Sequence, residues 1–234
     1  MLSLRDLVER LAQPPGDLVY YLVTLFAIQL ILGIAFSHWY RQRRDPNAIR
    51  LLLAGVGLAL VRVAALVVAV LDRAGVLPAL AILPPLERFL DFSSIVLVLW
   101  AFMSLWGRHP RLGVSLLLVS LLAGMILYAA TTALWLPLSA TGRVYSGTGQ
   151  ATLWEAVSVG LLVLGLVATL AWRGDSWGLL TCLLGVWLAG HALQLADWQR
   201  AQPVHPTAAA WVRLADLVAL PVLAALAYRQ ALQT

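Results

Sequence analysis

The chain has 234 residues, of which 62% are hydrophobic and 12% charged, and its formal net charge is +5. A mean hydropathy of +0.87 is far above that of a soluble domain, so we expect the lipid bilayer to be its solvent. The 16 basic residues are all arginines and are spread along the chain, which argues against a nucleic-acid partner. Because no lysine occurs, a retinal Schiff base is excluded.

Long apolar stretches occupy nearly the whole chain. A helix needs about 20 apolar residues to cross roughly 30 Å of hydrocarbon. The sequence therefore predicts an all-α integral membrane protein, a single bundle of seven transmembrane helices within residues 17–228. The predicted spans are Leu18–Tyr40, Ala48–Leu71, Leu86–Trp106, Leu112–Leu136, Ala151–Trp172, Trp177–Ala196 and Ala208–Tyr228. The widest connections, Asp72–Pro85 and Pro137–Gln150, are too short to hold a second core.

The two ends of the chain carry different patterns. Within residues 1–16, Leu4, Leu7, Val8 and Leu11 recur at helical spacing while charged residues occupy the other faces. This pattern predicts a short helix that lies flat at the membrane interface. Residues 229–234 follow the last span and are predicted to form a cytoplasmic helical stub.

The orientation rests on the distribution of arginine. If successive spans cross the membrane in alternating directions, eight arginines fall on one side and seven on the other. The totals therefore do not decide the orientation. The dense group Arg41, Arg43, Arg44 and Arg50 in the first connection identifies the cytoplasmic side. We therefore expect the N-terminus outside, the C-terminus inside, and a location in the inner (cytoplasmic) membrane of a cell. Nine of the 11 carboxylates then lie outside or in the outer halves of spans.

Several charged and polar residues lie inside the predicted spans. Such groups cost several kcal/mol in lipid unless they are paired or wetted, and they normally face the bundle interior. We expect them to converge on one outward-facing polar cavity that binds a ligand or a proton. The alternative is a set of structural ion pairs between helices. The candidate ligand-binding residues are Arg62, Glu87, Arg88, Asp91, Glu155, His191, Gln194, Arg213 and Asp216.

Cofactor signals are weak. No HExxH, CxxC or glycine-rich phosphate loop occurs, and no histidine pair suits a transmembrane haem. We therefore predict neither a metal nor a cofactor. Cys182 is expected to be a small buried hydrophobe, and Trp100 and Trp187 are expected either to pack in the core or to line a pocket.

Four short stretches resemble one family. They are Leu83–Asp91, Leu97–Phe102, Gly190–Leu195 and Trp211–Pro221. Together they resemble the seven-helix N-terminal sensor region of bacterial multidomain histidine kinases and GAF-domain signalling proteins. The resemblance implies a membrane input module whose last helix passes a signal to a cytoplasmic kinase or signalling domain. Here the sequence stops at Thr234 without a kinase domain, so that partner is expected to be fused further on or to be a separate protein.

Three functions stay open at this stage. The first is a sensory or receptor module in which a ligand shifts the last helix, which is expected to be kinked at Pro221. Such a module would be surrounded by membrane lipid, and a homodimer is one arrangement it could adopt. The second is a non-catalytic subunit or scaffold of a larger membrane complex. The third is a small integral-membrane cyclase or isomerase with Glu87 or Asp216 as general acid. The absence of a catalytic domain makes an enzyme the less favoured interpretation.

Overall fold

The computed structural model describes residues 4–13, 16–76, 79–199 and 209–232. That part of the chain is helical, and no strand occurs within it. The helices are α1 Leu4–Ala12, α2 Gly16–Arg41, α3 Pro46–Arg73, α4 Ala79–Phe102, α5 Leu105–Arg108, α6 Pro110–Ser139, α7 Gly149–Ala171, α8 Trp177–Trp198 and α9 Ala210–Leu232, with a 3₁₀ turn at Tyr145–Gly147 between α6 and α7.

Within the described residues, six helices are long and apolar enough to cross a membrane: α2, α3, α6, α7, α8 and α9. The chain is thus a multi-pass helical membrane protein. The third predicted span corresponds to α4, which has 24 residues but carries Glu87, Arg88 and Asp91 near its middle. The count of seven spans and the orientation stay predictions.

Helix α4 lies at the centre of the bundle. It packs against α3, α6 and α7, while α2 joins α3 to α9 and α8 joins α7 to α9. Every residue from 90 to 101 is buried. In contrast, α6 has 30 residues of which only Gly113, Gly124, Thr131 and Trp135 are buried. One apolar helix therefore forms the core while another presents most of its surface outward.

The boundaries around α4 differ from the prediction. The connection Asp72–Pro85 is wrong, because α3 continues to Arg73 and α4 already begins at Ala79. Pro84 and Pro85 lie inside α4. Proline lacks a backbone donor, so each of the two removes one hydrogen bond early in α4, and the helix continues through them. The predicted span Leu86–Trp106 is also too long at its end, because α4 ends at Phe102 and α5 is a separate helix.

The short helix α1 spans Leu4–Ala12, within the stretch 1–16 for which an interfacial helix is predicted. Val8 and Ala12 of α1 are buried against Ala210 of α9, whereas Leu4 and Leu7 are exposed. Its position at a membrane interface stays a prediction. Residues 14–15, 200–208 and 233–234, and with them Ala208 at the start of the last predicted span, lie outside the described residues.

Two smaller expectations have different outcomes. Of the predicted helical stub, residues 229–232 are helical, because α9 extends as far as Leu232. The expectation for Cys182 is wrong, because this side chain is exposed on α8. A lone cysteine is as acceptable to lipid as to a protein core, so the sequence could not separate the two.

Candidate functional site

All nine candidate residues are buried, with exposed fractions between 0% and 7%. They come from α3, α4, α7, α8 and α9. Eight of them carry ionisable side chains and form the contacts described below. We call these eight residues, with Tyr20 and Tyr21, the ion-pair network, and we call the end of the bundle that holds them the network end. It is the end where α2, α4, α7 and α9 begin and α3 and α8 finish.

Arg213 ties α9 to three other helices. Its Nε donates to Glu87 Oε1 of α4 at 2.8 Å, and its Nη2 donates to the Tyr21 hydroxyl of α2 at 3.0 Å. Its Nη1 donates to the carbonyl oxygen of Leu11 in α1 at 2.9 Å. The Tyr21 hydroxyl in turn donates to Glu87 Oε1 at 3.3 Å. All but one of the guanidinium's partners are therefore buried side chains.

Asp216, one turn further along α9, makes a second group of contacts. Arg62 Nη2 of α3 donates to Asp216 Oδ2 at 2.9 Å, and the Tyr20 hydroxyl of α2 donates to the same oxygen at 2.6 Å. Arg62 Nη1 also donates to the Tyr20 hydroxyl at 3.2 Å. Charge-assisted bonds of this kind are about twice as strong as neutral ones. They connect α2, α3 and α9 at one point.

Arg88 is the centre of the network. Its Nη1 donates to Glu155 Oε1 of α7 at 2.9 Å and lies 3.4 Å from Asp91 Oδ2. Its Nη2 lies 3.2 Å from Glu87 Oε2, so one guanidinium faces three carboxylates. On the far side, His191 Nδ1 of α8 lies 2.6 Å from Glu155 Oε2. The chain of contacts thus runs from α4 through α7 to α8.

Gln194 stands apart from the ion pairs. Its Oε1 accepts from the backbone N–H of Trp211 at 3.0 Å, close to the start of α9. The two helices approach closely here. A Cβ atom built on Gly190 would lie 2.4 Å from the Cβ of Ala215 and 3.2 Å from the Trp211 carbonyl oxygen. Gln194 therefore caps a tight α8–α9 contact rather than joining the charged group.

The charges of the network are nearly balanced. Four carboxylates, Glu87, Asp91, Glu155 and Asp216, face the three guanidiniums of Arg62, Arg88 and Arg213. A proton on His191 would neutralise the remaining negative charge. Buried charges need such pairing, because each isolated ion would carry a large desolvation penalty. Within the described residues, no group of three or more histidine, cysteine or acidic side chains is arranged to hold a metal ion.

The two tyrosines of the network were not among the predicted site residues. Tyr20 and Tyr21 lie next to each other near the start of α2, and both are buried in the network. Their position resembled that of an ordinary interfacial aromatic belt, so only their adjacency could have been a signal. Tyr145, in the 3₁₀ turn outside the spans, is also buried at this end, and its ring packs 5.1 Å from that of Trp135. Burial raises the pKa of the Tyr145 phenol above its ordinary range.

The expected convergence of charges from different helices is present in the structure. The network side chains mainly contact one another. Two cavities lie elsewhere among the described residues, one toward the opposite end of the bundle and one along α6. An outward-facing ligand cavity at the network end therefore stays a prediction.

Comparison with protein families, with curated proteins and with solved structures finds no match for this chain. The resemblance to the sensor region of histidine kinases stays a prediction.

Proposed function

We propose that the protein is a membrane-embedded sensory module in which the ion-pair network sets the position of α9. A stimulus that changes the charge balance of the network, either a small polar ligand or a proton, shifts α9 relative to its neighbours. A cytoplasmic signalling domain or kinase, fused or separate, receives the movement. A ligand can drive such a shift only if it interacts differently with the two helix arrangements.

The observation that carries the proposal is the position of Arg213 and Asp216. These two α9 residues pair with side chains from α2, α3 and α4 and with the backbone of α1. Any change in those pairs acts directly on the first turns of α9. From there the helix continues without a break to Leu232 at the other end of the bundle.

Pro221 supports a mechanical role for α9. It lies inside the helix, five residues after Asp216, and removes a backbone hydrogen bond there. Proline is a usual cause of kinks in long helices. The half of α9 beyond Pro221 can therefore change direction when the first half moves, without unfolding the helix.

Spin labels at the far ends of α2 and α9 test the proposal. Tyr40 and Tyr228 are exposed there, with 59% and 57% of their surface accessible, and α2 packs against α9. Cys182 is first replaced by serine, and cysteines introduced at these two positions are then spin-labelled. Double electron–electron resonance measures the distance between the two labels in lipid nanodiscs. Neutralising one partner by Glu87→Gln is expected to shift the distance distribution.

A matched control is the ion pair between Arg73 Nη2 and Asp17 Oδ1, which are 2.6 Å apart at the same end but partly exposed. Asp17→Asn is expected to leave the distances unchanged. Tyr21→Phe removes one hydroxyl from the network and is a milder variant if Glu87→Gln does not fold. Identical distributions for wild type, Glu87→Gln and Tyr21→Phe would show that the network only holds the helices together, as in a scaffold subunit.

A further inference from the structure

The end of the bundle opposite the network holds a cavity of about 480 Å³, which we call the polar cavity. Its walls come from the end of α2, the start of α3, the α4–α5 junction, the loop between α7 and α8, and the end of α9. The charged groups and histidine around it are Arg50, Arg108, Arg173, Asp45, Asp175 and His38. This site was not predicted from the sequence, because these residues lie at helix ends and in short connections that are distant from one another in the chain.

Several polar atoms around this cavity have no hydrogen-bond partner among the described residues. They are His38 Nε2, Arg50 Nε, Ser176 Oγ and Gln230 Oε1. His38 is only 2% exposed, and its Nε2 lies 3.8 Å from Asp45 Oδ2, beyond hydrogen-bond distance. Buried polar groups are normally hydrogen-bonded. These four atoms are therefore unsatisfied polar groups beside the cavity.

The charge of the polar cavity favours an anion. Three guanidiniums face two carboxylates, and they come from three separate parts of the chain. Arginine binds phosphate oxygens through parallel N–H donors, which a single ammonium group cannot match. The Arg173 guanidinium is held 4.7 Å from the centre of the Trp177 ring. The Arg173 Nε also donates to the carbonyl oxygen of Leu170 at 3.4 Å.

A second cavity of about 300 Å³ adjoins the first and is almost entirely apolar. We call it the apolar groove. It runs between α4, α6 and α7, and Leu99, Trp100, Leu116, Leu117, Leu161 and Leu164 line it. Met103, Leu105 and Ala168 line both cavities, so the two spaces are neighbours. Leu164 is 69% exposed, which places the groove at the outer surface of the bundle.

We propose that the polar cavity and the apolar groove together bind one anionic phospholipid. The phosphate headgroup lies among Arg50, Arg108 and Arg173, and one acyl chain follows the groove along α4. The combination of an arginine-lined cavity with a long apolar extension fits an amphiphile better than a free phosphate. Trp172 and Trp177 beside the cavity are typical of the boundary between headgroups and hydrocarbon.

Native mass spectrometry of the full chain in detergent tests the headgroup. Phosphatidylglycerol is expected to stay bound at one copy per protein, and phosphatidylcholine is expected to bind at least about tenfold more weakly. Arg50→Gln combined with Arg108→Gln should weaken phosphatidylglycerol binding by about tenfold or more, since charge-assisted bonds are lost. Arg173→Gln, on an exposed loop, is the variant to use if the double change does not fold.

The control for the headgroup is Arg43→Gln. Arg43 lies at the same end but outside the cavity, with its guanidinium 4.8 Å from the Tyr40 ring centre. This variant should bind phosphatidylglycerol like wild type. Equal binding of the two lipids, or equal losses in Arg43→Gln and in the cavity variants, would overturn the proposal.

A second pair of variants tests the acyl chain. Ser120 of α6 lines the apolar groove, whereas Ser115 of the same helix is exposed and lies outside it. Ser120→Phe should fill the groove and reduce phosphatidylglycerol retention, and Ser115→Phe should not. If Ser120→Phe has no effect and glycerol 3-phosphate displaces the lipid completely, the site is one for a free phosphate ester and the lipid assignment is wrong.

Discussion

Arginine, aspartate and histidine meet at both ends of the bundle, but their surroundings differ. At the network end, Arg88 and Arg213 are 2% and 3% exposed and donate to carboxylates at 2.9 Å and 2.8 Å. At the other end, Arg50 is half-buried beside a cavity, and its Nε has no partner among the described residues. The same residue types thus link helices at one end and line a cavity at the other. Packing, and not residue type, makes the difference.

The largest effect is expected from Arg213→Ala at the network end. The change leaves Glu87 buried without its closest guanidinium, and removal of one partner of a buried ion pair typically costs about 3–5 kcal/mol. The free energy of unfolding in mixed micelles, followed by tryptophan fluorescence, is the measurement. Arg73→Ala, which breaks the partly exposed pair with Asp17, should cost no more than about 1 kcal/mol. Equal losses in both variants would remove the contrast between buried and exposed pairs.

A double-mutant cycle at Arg62 and Asp216 sharpens the comparison. Asp216→Leu alone leaves a buried guanidinium uncompensated and should cost about 3–5 kcal/mol. The double variant Arg62→Met with Asp216→Leu should recover much of this loss, because both charges are gone. The coupling free energy from the four unfolding curves is the readout. Additive losses would mean that the two side chains do not stabilise each other.

The close helix contact at the network end predicts an intermediate effect. Gly190→Ala places a methyl group 2.4 Å from the Cβ of Ala215, so α8 and α9 must separate, at about 1–3 kcal/mol. Gly185 lies on the same helix with no atom within 4 Å of the corresponding position. Gly185→Ala should therefore be neutral or stabilising by up to about 1 kcal/mol, as expected from helix propensity. Thermal unfolding of the two variants side by side tests the difference.

The smallest effect on stability is expected at the polar cavity, at the end of the bundle opposite the network. Arg50→Gln should change the free energy of unfolding by no more than about 1 kcal/mol in lipid-free detergent, because Arg50 makes no ion pair within 4 Å in the described part of the chain. Micelle unfolding curves provide the value. A loss as large as that of Arg213→Ala would mean that Arg50 supports the fold, and the contrast between the two ends would disappear.

The placement of α4 and α6 shows what the sequence could not decide. Both are long and apolar, and the sequence correctly marked both as helices. Lipid tails are as apolar as leucine side chains, so hydrophobicity does not distinguish a helix in the core from one facing the bilayer. The three charges of α4 were the available signal, because buried polar groups face the bundle interior. Only packing placed Phe89 and Phe92 against the small surface of Gly124 in α6.

The sequence by itself determined that the chain is a multi-pass helical membrane protein and that charged residues from several helices share one end. Helix length and composition suffice for this, because the bilayer sets the length and the cost of a lone charge forces pairing. The tertiary structure decided which charges pair, brought Tyr20 and Tyr21 into the network, and opened the polar cavity beside Arg50. These depend on distances between helices far apart in the chain, and such distances arise only when the side chains of all the helices pack together.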